Sequence, residues 1–191
     1  MKPNTSALIK YWQEIPASVR KFLITSIILF TIWKVCYHLY LKPTRLIDIP
    51  LTVQTANNTQ QLLQAIYPNY NFTNEQRLPK EKIDFFGVYI MKDSKKIIGI
   101  FDPCNALEVF VIYIGLIICL PSNFKRMALY IVLGIVGLYI LNILRCTVLG
   151  ILNINSSVYV DFAHHYLFTM VVYIGIFLGW ASYIKQSTNE I

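Results

Sequence analysis

Four residues able to do chemistry stand at the ends of hydrophobic runs: Cys104, Arg145 and the adjacent His164 and His165. If successive runs cross a membrane in alternating directions, all four come to the same side. A cysteine becomes a nucleophile when it loses its proton, and a histidine can trade that proton near neutral pH. An arginine keeps its charge and can stabilise a thiolate or the oxyanion of a tetrahedral intermediate. The set is suited to acyl transfer through a thioester on Cys104. An incoming amine or hydroxyl would give transfer, and water would give proteolysis.

The elements that must position these groups follow from composition. Of 191 residues, 55% are hydrophobic and 14% charged, and the mean hydropathy is +0.50, which excludes an ordinary soluble domain. A spanning helix needs about 20 mainly apolar residues, and the runs at 22–41, 106–121, 127–153 and 165–184 approach or exceed that length. The expected fold is a predominantly α-helical integral membrane protein with about four transmembrane helices. The third run exceeds the hydrocarbon thickness, so it must tilt or protrude at its polar end. Arg20 and Lys21 precede the first run as in a signal peptide, but Lys34, His38 and bulky tyrosines follow it where a cleavage site would need small residues. An uncleaved anchor is the better reading. Lys34 is expected to snorkel to the nearer interface.

Lysine and arginine in the flanks orient the chain. Lys2, Lys10, Arg20 and Lys21 precede the first helix, Lys125 and Arg126 join the second and third, and Lys185 follows the fourth, whereas 154–162 carries no basic residue. The segment 1–21, the 122–126 loop and the tail 185–191 are therefore expected in the cytoplasm. The net charge of +7 is partly this topology signal, and without a basic patch interleaved with aromatics no nucleic-acid partner is expected. The polar stretch 42–103 then forms a small α+β extracytoplasmic cap between helices one and two. Within it, 58–66 has helical spacing ended by Pro68. The run 84–102 reads as a hairpin turning at KDSK and leading into Cys104. The three-helix region 104–184 carries the candidate residues.

Cys36, Cys119 and Cys146 read as apolar packing residues. Cys104 differs, because it stands at the junction between cap and membrane, where a helix amino terminus favours a thiolate. Arg145, about 20 residues from the cytoplasmic start of its helix, falls at the depth of Cys104, and charges within membranes are functional by default. Asn142, one turn earlier, shares its face and is expected to hold the guanidinium. At the start of helix four, adjacent helical residues point about 100° apart, so one of His164 and His165 addresses Cys104 and the other is structural or interfacial. Asp161 reads as an N-terminal helix cap in preference to a residue orienting His164. A thiol oxidoreductase would want paired outer cysteines. A metal or haem site would want histidines sharing a helix face, so no metal and no cofactor are expected. The alternative from another class is a non-catalytic membrane assembly subunit, in which Arg145 and the histidines hold helices together.

Three short motifs in order resemble the exosortase and archaeosortase family of membrane transpeptidases, in the small form found in Bacteroidetes. Cys104 in DPCNALEVF resembles the family's nucleophile segment, Asn142 and Arg145 in NILRCTVLG fit its Asn-x-x-Arg pattern, and DFAHHYLF holds the histidine at His164 or His165. The family usually has glycine two residues after the cysteine, where this chain has Ala106. The resemblance covers 42–183. It implies cleavage and sorting of membrane-anchored proteins bearing a C-terminal signal of short motif, transmembrane helix and basic tail. It also implies a bacterial cytoplasmic membrane with the site facing the periplasm or exterior, and an acceptor left open. The cap, 42–102, is itself expected to read the motif, by strand addition to the hairpin edge.

Overall fold

In the computed structural model, residues 14–77, 85–120 and 122–188 are described. The expectations for 1–13, Asp84, Pro121 and the end of the tail lie outside them. The protein is mostly helical with one small sheet. Helix α1, Ala17–Cys36, continues through a π-helical turn at Tyr37–Leu41 and a short piece at Lys42–Thr44, and Arg45 ends it in the left-handed region at φ 49°. Then come α2 (Asp48–Ile66), β1 (Phe72–Arg77), β2 (Gly87–Lys92) and β3 (Lys95–Phe101). A 3-10 turn at Asp102–Cys104 leads to α3, Leu107–Ile118, and α4, Phe124–Ile154. The last helix, α5, starts at Val160–Phe162, takes a π-helical turn at Ala163–Leu167 and runs on as Phe168–Thr188.

Among the described residues, three helices are long and apolar enough to cross a membrane: Ala17–Thr44, Phe124–Ile154 and Val160–Lys185. The fourth expected crossing is shorter. At 12 residues α3 spans about 18 Å, less than the roughly 30 Å of a hydrocarbon core. Its chain leaves helical geometry after Ile118, ahead of Pro121. α1 buries none of its residues and α5 exposes Met170, Tyr173, Ile174 and Phe177, as helices do when lipid is their solvent.

The helices alternate in direction, and side-chain contacts fix both ends. At one end Phe22 of α1 lies against Trp180 of α5, Ser26 donates to Cys119, and Arg126 donates to the carbonyl of Tyr183. At the other, Lys34 forms an ion pair with Glu108 at 3.0 Å. That pair replaces the snorkelling expected of Lys34, because α3 brings a carboxylate to its level. Lys125 and Arg126 lie within the first turn of α4 and not in a loop, since Asn123 Oδ1 caps that helix by accepting from the Lys125 amide.

The α+β layer sits on the end of α4. α2 begins ten residues before the expected start because its inward face is built largely from threonine: Asp48, Thr52, Thr55, Ala56, Thr59 and Leu63 are buried at helical spacing. Pro50 is tolerated in the first turn. Gln60 and Gln64 donate to the carbonyls of Phe72 and Tyr70, which ties the start of β1 to α2. The sheet is antiparallel in the order β1-β2-β3, and the hairpin turns at Asp93 and Ser94, both at positive φ as a two-residue turn requires. One core joins Leu63, Phe86, Val88, Ile90 and Ile100 to Cys146 of α4, so α4 protrudes into this layer. At Gly150 a Cβ would stand 3.1 Å from the Leu63 side chain, so the absence of a side chain there lets α4 approach α2.

Candidate functional site

Cys104 ends the 3-10 turn, and several buried polar groups hold that turn. Asn142 of α4, 3% exposed, donates from Nδ2 to the Cys104 carbonyl at 2.9 Å. The amide was expected to hold Arg145. It holds the backbone of Cys104 instead, because the turn lies over the face of α4 that Asn142 presents. The neighbouring Asn105, 1% exposed, donates to Asp48 Oδ1 at 3.1 Å and to Thr52 Oγ1 at 3.3 Å. Its own oxygen accepts the Leu107 amide at 2.9 Å. That amide opens α3, so this donor of the helix amino terminus serves Asn105 and not the sulfur. Between Asn105 and Leu107 the chain turns through Ala106 at φ 69° and ψ 5°, a left-handed conformation that costs an L-residue about 1–2 kcal/mol.

On the other side of Cys104, Asp102 Oδ2 accepts the Phe86 amide at 3.0 Å and lies 3.5 Å from Arg45 Nη1, while its Oδ1 accepts from Thr52 at 3.2 Å. Burial pushes the Asp102 carboxyl above the ordinary carboxylate range, and the Asp48 charge adds to this; the Phe86 amide, Thr52 and Arg45 oppose it. Tyr37 donates to Asp48 Oδ2 at 3.2 Å. Sequence reasoning gave Asp48, Thr52, Asp102 and Asn105 no role. The available signal was two polar residues flanking Cys104 and an Asp-Thr pair at i, i+4 in an otherwise apolar stretch.

Arg145 and His164 meet directly, Nη2 to Nε2 at 3.3 Å. A guanidinium offers no acceptor, so His164 Nε2 accepts, and the neutral ring carries its proton on Nδ1. Arg145 Nε is buried and has no hydrogen-bond partner among the described residues. Both residues line a pocket of about 200 Å³ with Cys104, Cys146, Leu149, Asp161 and the β3 residues Ile98, Gly99 and Ile100. The Cys104 thiol makes no hydrogen bond among the described residues, so the pocket gathers the trio while only Arg145 and His164 are hydrogen-bonded to one another. His165 is exposed and lines a separate apolar groove with Tyr166, Met170 and Phe177. The π-helical turn, which widens the local helix, presents His164 to the pocket and His165 away from it. Asp161 is not the cap expected of it: Tyr159 occupies that position with no side-chain capping bond, and Asp161 stands one turn before His164 on the pocket wall. His38 lines a different pocket with Lys42, Arg45 and Asp48. All four cysteines are free; Cys36 is exposed, and Cys146 is buried beside Cys104.

Fold and site together define an integral membrane protein with a cysteine, an arginine and a histidine around one pocket at the end of its helices. Residues 16–182 match the family model described as transmembrane exosortase, and the chain belongs to that family. No curated protein matches the sequence, and no solved structure matches the fold.

Proposed function

We propose that this exosortase is a cysteine transpeptidase or protease that cleaves membrane-anchored proteins carrying a C-terminal sorting signal, with Cys104, Arg145 and His164 as its catalytic residues. The observation that carries the reading is the pocket itself: three chemically complementary groups from three separate segments line it, and the arginine is bonded to the histidine. His164 exchanges the Arg145 N–H at its Nε2 for the Cys104 thiol and takes the thiol proton there as the sulfur attacks the scissile carbonyl. The carbonyl oxygen becomes an oxyanion, and the free Nε–H of Arg145 is the donor suited to it. On collapse the C–N bond breaks, the departing amine takes the proton, and the acyl group remains as a thioester on Cys104. An amine, a hydroxyl or water then attacks the thioester and restores the thiol. Asn142 fixes the main chain that bears the nucleophile, and Asp161 stands one turn before His164 on the pocket wall.

The pocket faces the periplasm or exterior of a bacterial cytoplasmic membrane in this reading, which rests on the basic flanks of the opposite ends. The test compares membrane proteins with a hydrophobic C-terminal helix and basic tail in wild-type and Cys104→Ser cells, by intact mass and by trapping of a thioester. Shortened products and an adduct only in the wild type support the proposal. Identical processing with well-folded variant protein overturns it and leaves a non-catalytic membrane subunit.

A further inference from the structure

The edge of β3 away from β2 runs straight at Cys104. Phe101 ends the strand, and the 3-10 turn carries the chain from there to the sulfur within three residues. Ladder alternation decides which backbone groups face outward. Gly87 pairs with Phe101, Val88 with Ile100, Tyr89 with Gly99 and Ile90 with Ile98. The Asp102 amide bonds to the Phe86 carbonyl at 3.1 Å, so the next pair, Gly87 with Phe101, does not exchange hydrogen bonds, and neither does Tyr89 with Gly99. The N–H and C=O groups of Gly99 and Phe101 therefore point to the open edge, and among the described residues no other segment pairs with them. Side chains alternate as well. Ile98 and Ile100 face the pocket, and the place of a Gly99 side chain is filled by the Tyr89 and Phe101 rings, whose planes stand at 88° to one another.

An open strand edge invites another strand, and most edges are blunted by charge or proline. The charges of β3, Lys95 and Lys96, lie at its far end by the turn, and the stretch next to Cys104 is Ile97-Ile98-Gly99-Ile100-Phe101. The rest of the pocket lining comes from Arg145, Cys146, Leu149 and Asn153 of α4 and from Val160, Asp161 and His164 at the start of α5. We infer that the substrate segment on the acyl side of the scissile bond binds in extended form as a fourth strand on β3, paired with the backbone of Gly99 and Phe101. That pairing directs its carbonyl to Cys104. The inference rests on Cys104 as the nucleophile and adds how the substrate is held. Main-chain bonds supply the affinity and the Ile98–Ile100 wall selects alternate side chains.

The test uses the full chain in detergent and a tetrapeptide vinyl sulfone of alternating valine and threonine, with alkylation of Cys104 followed by peptide mapping. The thiolate adds to the vinyl carbon, and the neighbouring carbon takes a proton. Strand addition predicts that N-methylation of alternate peptide amides slows labelling about tenfold per lost bond while methylation of the intervening ones does not. Gly99→Pro, which removes the outward N–H, slows the peptide probe relative to Gly99→Ala, which places a Cβ against the same Tyr89 and Phe101 rings but keeps the N–H. Iodoacetamide, which needs no strand, labels Cys104 at the same rate in both variants. Uniform effects of N-methylation, or equal rates for the proline and alanine variants, would overturn the inference. Reactivity of Cys104 toward iodoacetamide no greater than that of exposed Cys36 would count against the nucleophile instead, so the two failures are separable.

Discussion

The side-chain amide of Asn142 is bonded to the main-chain carbonyl of Cys104, 2.9 Å away and thirty-eight positions earlier. One turn further along the same helix, Arg145 reaches His164. A single helix thus sets the position of the sulfur-bearing turn and of the cation beside it. Asn142→Asp replaces the donor with an oxygen that repels the carbonyl, and Asn142→Leu leaves the carbonyl without a partner. Each should cost about 1–3 kcal/mol of stability and, through displacement of Cys104 under the proposed function, about a hundredfold in processing rate. Thermal unfolding and a processing assay on the same preparations check this. A variant with wild-type turnover would show that the bond does not position Cys104.

His164 and His165 are neighbours in sequence but lie on different surfaces, one at the pocket and one in an apolar groove. His164→Ala should lower processing by about 10²–10⁴-fold, the usual span for a lost acid–base group. His165→Ala should leave the rate near wild type. Equal losses would mean that the π-helical turn does not separate their roles.

Arg145→Lys keeps the charge and gives up the fork. The guanidinium reaches His164 with Nη2 while Nε stays free for a developing oxyanion, and a single ammonium on a flexible stem cannot hold both directions. A fall of about 10²–10³-fold in turnover is expected, the range for loss of one oxyanion donor. An active lysine variant would reduce the role of Arg145 to its charge.

Ala106 occupies a left-handed backbone position, φ 69°, just after the sulfur-bearing turn and ahead of α3. Glycine carries no Cβ penalty there, which gives a physical reason for the glycine usual at this place in the family. Ala106→Gly should raise stability by about 1 kcal/mol, since relief of the left-handed strain exceeds the extra entropy of the unfolded chain. The unfolding midpoint of detergent-solubilised protein measures it. A lower midpoint would mean that packing of the buried Ala106 methyl outweighs the strain.

The hairpin was legible in the sequence because its cues are local: β-rich runs on both sides of KDSK, and a turn at Asp93 and Ser94 as the spacing required. Three of the spanning helices were legible because lipid-facing segments must be apolar along their whole length. Other features depend on tertiary partners. The first half of α2 hid because threonine is silent in a hydrophobic pattern, yet Thr52 and Thr55 are buried, and Thr52 donates to Asp102 of the cysteine turn. β1, with the polar sequence FTNEQR, forms because β2 offers it an edge and Gln60 and Gln64 tie down its start. Arg145 stood out as a charge in an apolar helix. That Asn142 would serve Cys104 instead was invisible, because one-turn spacing relates residues on one helix and says nothing of which segment lies above them.

Asp102 offers a test of the network on the far side of Cys104. Its carboxylate serves the Phe86 amide, Thr52 and Arg45, yet burial raises its pKa above the ordinary value. A carboxyl whose folded pKa exceeds its unfolded value binds protons more tightly when folded. Its contribution to stability is then largest in acid and is lost as pH rises from about 4 through the folded pKa. Lowering the pH from neutrality should therefore stabilise the wild type relative to Asp102→Asn, which cannot titrate and keeps an acceptor for Phe86. Unfolding midpoints of both proteins between pH 7 and pH 4 measure the difference. A wild type that loses stability relative to Asp102→Asn on acidification would mean that the Arg45 ion pair outweighs burial, with the folded pKa below the unfolded one.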